Sequence, residues 1–229
     1  FYTTTLKEAK ENNRMDAEYY MPKYKKLAKH IQSNFQIKLF KDVFKIDRGD
    51  YISPDYYMKK AKRAYIRIKE LTNNGSIIDQ HIIKVDDSFK NVKLKTLKEG
   101  DFVFAAIGAT LGKVNRISNK YENSFFSNNT ARFRLKKEFA KYNTYFIEAL
   151  LRSTICQLEF ERRKAQTAQA KISNDEIGKI ILPLVSKEIQ FKIAKYIEDS
   201  YNKNTQAKDM LKQAIHKVEE MIEKEAGVK

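Results

Sequence analysis

Three clusters of side chains in this sequence carry chemistry suited to gripping or reading a nucleic acid. Lys59, Lys60, Lys62 and Arg63 form a basic run, the pattern expected for phosphate contacts. Ser127, Asn128, Asn129, Thr130 and Arg132 form a polar loop whose amides and guanidinium suit base edges. Asn or Gln pairs bidentately with adenine and Arg with guanine in the major groove. Arg162, Arg163, Lys164, Gln166 and Gln169 form the third cluster, in a segment with no apolar reason to be buried. Arg67 and Lys113 complete the candidate set. The plainer reading of each cluster is solvated surface. Charge reversal across Arg162–Lys164 is expected to weaken DNA binding without unfolding the chain.

Catalytic patterns are missing. A methyltransferase acting on DNA amino groups needs a Pro-Pro-aromatic loop, and the only prolines are Pro22, Pro54 and Pro183. The run from Gly108 to Lys113 lies between strand patterns, not at the opening of a helix, so it reads as a turn rather than a dinucleotide or phosphate loop. Pro54-Asp55 is followed by no Asp-x-Lys or Glu-x-Lys, the nuclease signature. His30, His81 and His216 match no metal-ligand spacing. The single Cys156 forms no internal disulfide and reads as a small buried hydrophobe, which points to a reducing, cytoplasmic compartment. No catalytic residue and no metal site are expected, and the chain is read as a non-enzyme.

Charge gives the first positive direction. The 229 residues carry 45 Lys and Arg against 29 Asp and Glu, a net of +16. Residues 187–229 hold 9 basic and 8 acidic side chains, so nearly all of the excess lies in the first 186. A basic globular unit without an apolar run long enough for a membrane most often meets nucleic acid.

The elements that must position these groups are legible in outline. Leu6 to Asn34 reads as helical, with Pro22 inside it marking a helix start near Met21. Lys38 to Leu135 reads as short strands broken by turns: Tyr65–Ile68, Ile82–Val85, Phe102–Ala105 and Arg132–Leu135. Asn143 to Arg163 reads as one helix with Phe146, Ala149, Leu150, Ile155 and Leu158 on its apolar face. Ile177 to Leu182 leads as a short strand to Pro183. In the last 43 residues, Ile193, Ile197, Ser200, Asn204, Ala207, Leu211, Ala214, Val218 and Met221 keep a 4-3 spacing, a heptad seam that wants another helix. The alternative is a helix packed on its own domain.

Several of these segments, in order, resemble the specificity subunits of type I restriction–modification systems. Arg14–Tyr20 resembles the family's lead-in. Tyr65–Leu71, Leu97–Val103 and Gly108–Val114 resemble its recurrent β-core segments. Tyr145–Ser153 resembles the helix after the core, and Ile180–Pro183 with Glu188-Ile189-Gln190 resembles the junction to its spacer helix. Ala165 and Ala168 stand where members often have glycine. The resemblance implies an α/β (α+β) fold: a mixed-β target-recognition domain with flanking helices over residues 1–186, then a long coiled-coil spacer helix over 187–229. It also implies sequence-specific reading of one half of a split site in double-stranded DNA.

A methyltransferase, as a partner subunit or a fused domain, would supply all S-adenosylmethionine chemistry, so no cofactor is expected in this chain. The terminal helix would pair with a second copy or a second recognition domain. One recognition domain is present, and the first residue is Phe rather than Met, which fits a piece of a longer protein. The alternative function is a protein-interaction or regulatory module of a restriction complex that reads no sequence itself.

Overall fold

The computed structural model describes residues 2–86, 94–165 and 167–225, so Gln166 and the last four residues of the expected spacer lie outside the description. Among the described residues the α-helices are α1 Leu6–Asn12, α2 Pro22–Asn34, α3 Phe40–Val43, α4 Thr144–Arg152, α5 Thr154–Arg163, α6 Asn174–Gly178 and α7 Lys187–Glu225. The strands are β1 Gln36–Leu39, β2 Phe44–Arg48, β3 Arg63–Ile66, β4 Ile83–Val85, β5 Phe102–Ala105, β6 Val114–Arg116, β7 Phe125–Phe126, β8 Thr130–Leu135 and β9 Ile181–Leu184. The architecture is mixed α/β with a long C-terminal helix, as the sequence predicts.

The central sheet has the order β2-β8-β5-β6, antiparallel throughout. Alternation along β5 sends Phe102 and Phe104 to one face and Val103 and Ala105 to the other. Phe102 and Phe104 join Phe40, Phe44, Phe133, Phe146 and Phe160 beneath the helices. Val103 and Ala105 pack with Ile66, Leu71, Leu97 and Phe126. Those residues belong to or flank a second sheet, β4-β3-β7. The central sheet is therefore covered on both sides, by helices and by a small sheet. The two sheets meet closely at Gly49, where an added methyl would drive into the carbonyl oxygens of Phe126 and Ser127.

Two expectations change. The helix read from Asn143 to Arg163 is two helices broken at Ser153, whose φ of −66° and ψ of 155° are extended. That break resets the helical phase. The buried residues are Phe146, Ile147 and Leu151, then Cys156 and Phe160. Ala149, Leu150, Ile155 and Leu158 are only partly covered. The run from Ile177 also divides: Ile177 lies in α6, and the strand begins at Ile181, pairing with β1 in a two-stranded sheet that accommodates Pro183.

The terminal helix serves two environments. Gln190 and Ala194 are buried, Ile193, Ile197 and Tyr201 are partly covered, and α7 packs along α4. The self-packed alternative thus holds for Ile193 and Ile197. From Asn202 to Glu225 every residue is exposed, including Asn204 and the seam members Ala207, Leu211, Ala214, Val218 and Met221. The self-packed part ends at a polar hub. Tyr201 donates its hydroxyl to Glu148, which also accepts from Arg152 at 3.3 Å. Among the described residues the second Glu148 oxygen has no hydrogen-bond partner. Gly75 presses against this hub at a φ of +89°, and a side chain there would collide with Glu148 and Tyr201.

Burial raises the Glu148 pKa, against the opposing pull of the Tyr201 hydrogen bond and Arg152. A carboxyl raised on folding contributes stability that is complete below its unfolded pKa and is lost as pH rises through the folded value. Glu148→Gln keeps an acceptor for Tyr201 and Arg152 and removes the titration. Its melting temperature relative to the parent should therefore rise as pH goes from about 4 to about 7. A difference that stays constant across that range would show that Glu148 does not titrate against folding.

Candidate nucleic-acid interface

The registers Arg48↔Ala131, Ala105↔Thr130 and Phe104↔Val114 set the ends of β2 and β5 beside the starts of β8 and β6. Three connections gather at that edge of the central sheet: residues 106–113, residues 127–129, and residue 165 with 167–171. Backbone bonds fasten them together. Ala106 N–H donates to the Asn129 carbonyl at 3.1 Å, Gly108 N–H to Ala170 at 2.8 Å and Ile172 N–H to Ala106 at 3.1 Å. Ala165 N–H donates to Lys171 at 2.7 Å and closes the 165–171 loop. The Arg48 guanidinium donates to the Ile172 carbonyl, and its remaining Nη1 is buried without a partner. Burial alone lowers the Arg48 pKa.

From this fastened base, Asn128, Asn129, Thr167, Gln169 and Lys171 are exposed. Thr130 donates its hydroxyl to the Ser127 carbonyl at 2.7 Å, and Ser127 bridges in parallel to Asp50, so the amide-bearing turn has a fixed frame. The run from Gly108 to Lys113 is a turn between strands, as its context predicts. The structure thus brings Asn128, Asn129 and Gln169 to one edge, although they come from separate clusters in sequence.

Other candidates are placed elsewhere. Lys59, Lys60, Lys62 and Arg63 are exposed at the start of β3, with Arg63 5.3 Å over the Phe125 ring. Lys113 reaches the Leu71 carbonyl at 3.3 Å, and Arg67 pairs with the buried Glu70 at 2.5 Å. Lys164 is half-buried at the end of α5.

Three arginines turn inward. Arg132 is 4% exposed, pairs with Asp47 at 2.5 Å and lies over the Phe126 ring. Its strand alternates apolar and Arg residues, a pattern that normally sends Arg to water, but here the second sheet covers that face. Arg163 is 7% exposed and pairs with Glu159 and Glu176. Arg162 lies 4.3 Å over the Tyr19 ring, donates to the Tyr19 carbonyl and pairs with Glu159. The Arg162–Lys164 segment therefore clamps the N-terminal lead-in, where Arg14 also donates to the carbonyls of Arg163 and Lys164. Charge reversal there would attack the fold, contrary to the expectation from sequence. Sequence reading missed Lys171 and Tyr51 at the loop edge; a lone Lys and a lone Tyr give no signal until the loops are brought together.

A family model described as "Type I restriction modification DNA specificity domain" matches residues 32–217. The chain belongs to this family. A specificity domain is a recognition unit and not a catalytic one, which agrees with the reading of the chain as a non-enzyme. Solved structures repeat the fold of this specificity domain at low identity. The S subunit of the type I restriction–modification system from M. genitalium is 17% identical with a TM-score of 0.52, over 71% of this chain and 38% of that one. The HsdS subunit from Thermoanaerobacter tengcongensis is 14% identical with a TM-score of 0.53, over 89% and 49%. The type IIG restriction endonuclease BpuSI is 11% identical with a TM-score of 0.55, over 84% and 30%. The specificity domain thus spans half or less of the length of each of these chains. A search of curated proteins gives no match.

The inward arginines separate two classes of variant. Arg132→Ala leaves Asp47 with only Lys45, 4.0 Å away, and should cost about 3 kcal/mol in urea denaturation. Asn128→Ala and Asn129→Ala should stay within about 0.5 kcal/mol of the parent. Parent-like stability of Arg132→Ala would remove the inter-sheet ion pair from the account of the fold.

Proposed function

We propose that this specificity domain reads one half of a split site in double-stranded DNA, through the loop edge that carries Asn128, Asn129 and Gln169. The observation that carries the reading is the convergence of three separate connections into one exposed edge of amides and Lys171, on a backbone already fastened by hydrogen bonds. Preorganised amides lose little conformational freedom on meeting a base edge. Lys59, Lys60 and Lys62, exposed in the segment that leads into β3 of the small sheet, serve as sequence-independent phosphate contacts. Arg67, Lys113, Arg132, Arg162 and Arg163 are set aside as readers because their cationic ends are held within the protein.

On this reading the domain positions a DNA methyltransferase, as a partner subunit or a fused domain, which carries the S-adenosylmethionine. It acts in the cytoplasm, where that chemistry meets chromosomal DNA. Among the described residues no helix is long and apolar enough to cross a membrane. The exposed stretch of α7 pairs with a second copy or a second recognition domain. Its exposed stripe of Ala207, Leu211, Ala214, Val218 and Met221 supports this pairing, and the amide edge rather than the stripe favours a reader over a regulatory module that reads no sequence.

Selection from random duplexes, with the chain assembled on its methyltransferase partner, should enrich a short motif. Affinity for that motif should fall about tenfold or more between about 50 and about 200 mM salt. Absence of enrichment together with a flat salt response would overturn the reading. Leu211→Asp should lower the mass seen by light scattering if α7 joins two copies. An unchanged mass in an associated parent would place the association elsewhere.

A further inference from the structure

All ten arginines of the chain make protein contacts. Arg14, Arg67, Arg132, Arg134, Arg152, Arg162 and Arg163 pair with carboxylates. Arg48 bonds the Ile172 carbonyl, and Arg63 and Arg116 lie over the rings of Phe125 and Tyr145. The side chain best matched to guanine is therefore engaged elsewhere, and the exposed reading groups at the loop edge are amides.

One residue from the frame of that amide turn stands an exposed aromatic ring. Tyr51 is 67% exposed on a backbone held at both neighbours. Asp50 N–H donates to the Phe126 carbonyl at 3.0 Å, and the Asp50 carbonyl accepts from the Tyr65 hydroxyl at 2.9 Å. On the other side Ile52 is fully buried, and its carbonyl accepts from the Tyr57 hydroxyl at 3.1 Å. Asp50 and Ser127 form a parallel bridge, so Tyr51 and the Asn128-Asn129 turn each begin one residue after a bridged position. An exposed ring on a fixed backbone gains nothing from folding, and its place one residue from the frame of the amide turn gives it a surface to meet.

We propose that Tyr51 and the Asn128-Asn129 turn together read an A·T base pair in the major groove. The asparagine amide takes adenine N6 and N7, and the Tyr51 ring packs on the thymine C5-methyl. The A·T edge presents an acceptor, a donor and a methyl group, and this edge of the protein offers the complement of each. The assignment rests on the DNA-reading function proposed above and names the base pair which that function would select.

The test uses the duplex selected on the parent chain in complex with its methyltransferase partner. The motif should hold at least one A·T pair whose replacement by G·C costs about tenfold or more in affinity. Replacing that thymine by deoxyuridine, which removes only the methyl, should weaken parent binding severalfold. Tyr51→Ala should bind more weakly and be indifferent to the same replacement, whereas Tyr51→Phe should behave as the parent. Asn128→Ala or Asn129→Ala should relax the preference for adenine. Unchanged melting temperatures would exclude misfolding, and the deoxyuridine comparison within each variant cancels any general loss of affinity. A motif made only of G·C pairs, or equal deoxyuridine sensitivity in parent and Tyr51→Ala, would overturn the assignment while leaving DNA reading intact. Absence of any motif would overturn both.

Discussion

Strand β5 meets water on neither face, and the rest of the domain is arranged around that fact. Phe102 and Phe104 require a helical layer above, and Val103 and Ala105 require a second sheet below. Once both layers are in place, the polar residues of β2 and β8 that face the small sheet are enclosed. Arg132 and Asp47, directly opposite each other in the β2–β8 register, satisfy one another there. Arg134 and Asp101 do the same nearby, at 2.7 Å. With the flanks of the sheet covered, the loops at its edge remain exposed, and backbone hydrogen bonds fasten them to one another.

The sequence showed the order of elements better than their surroundings. The strands at Phe102–Ala105 and Thr130–Leu135 were legible because alternation and apolar runs are local properties. The partner of each face was not, since a strand of alternating Phe and Arg looks half-exposed until a second sheet, contributed by residues 63–85 and 125–126, is laid over it. The Ser153 break was hidden for a related reason: Ser-Thr tolerates helix, and only the competing burial of Leu151 and Cys156 shows that the phase has shifted. Of the site, the Asn128-Asn129 turn was visible as chemistry. Its neighbours Tyr51 and Lys171 became visible only through a parallel bridge and a loop closure that join residues far apart in sequence.

The terminal helix extends the same reasoning. Its 39 residues span about 58 Å, far more than α4 can cover. Gln190, Ala194 and Tyr201 face the domain, while Ala207, Leu211 and Val218 lie beyond it, on a stretch whose every residue from Asn202 to Glu225 is exposed. The polar hub of Glu148, Arg152 and Tyr201 lies where the packed part stops. It fixes the direction in which the exposed part leaves, because Tyr201 is held by a hydrogen bond as well as by contact with the Tyr145 ring.

Charge alone, read as a net of +16, overstates the cation available to DNA and misplaces it. The arginines, drawn to carboxylates and rings, act as internal connectors: Arg14 and Arg162 hold the lead-in, Arg132 joins the sheets, and Arg152 joins α4 to the loop at Asn73 through its carbonyl at 2.8 Å. A guanidinium suits this role because its planar donors can serve a carboxylate and a carbonyl at once and because it stays ionised when partly desolvated. Lysines, with a compact and strongly hydrated charge, stay outside, and much of the surface excess is theirs. The division gives the two kinds of cation different consequences for binding. On the proposed reading, lysine contacts would make affinity depend on salt without regard to sequence, and discrimination between bases would fall to neutral groups, the amides and ring at the loop edge.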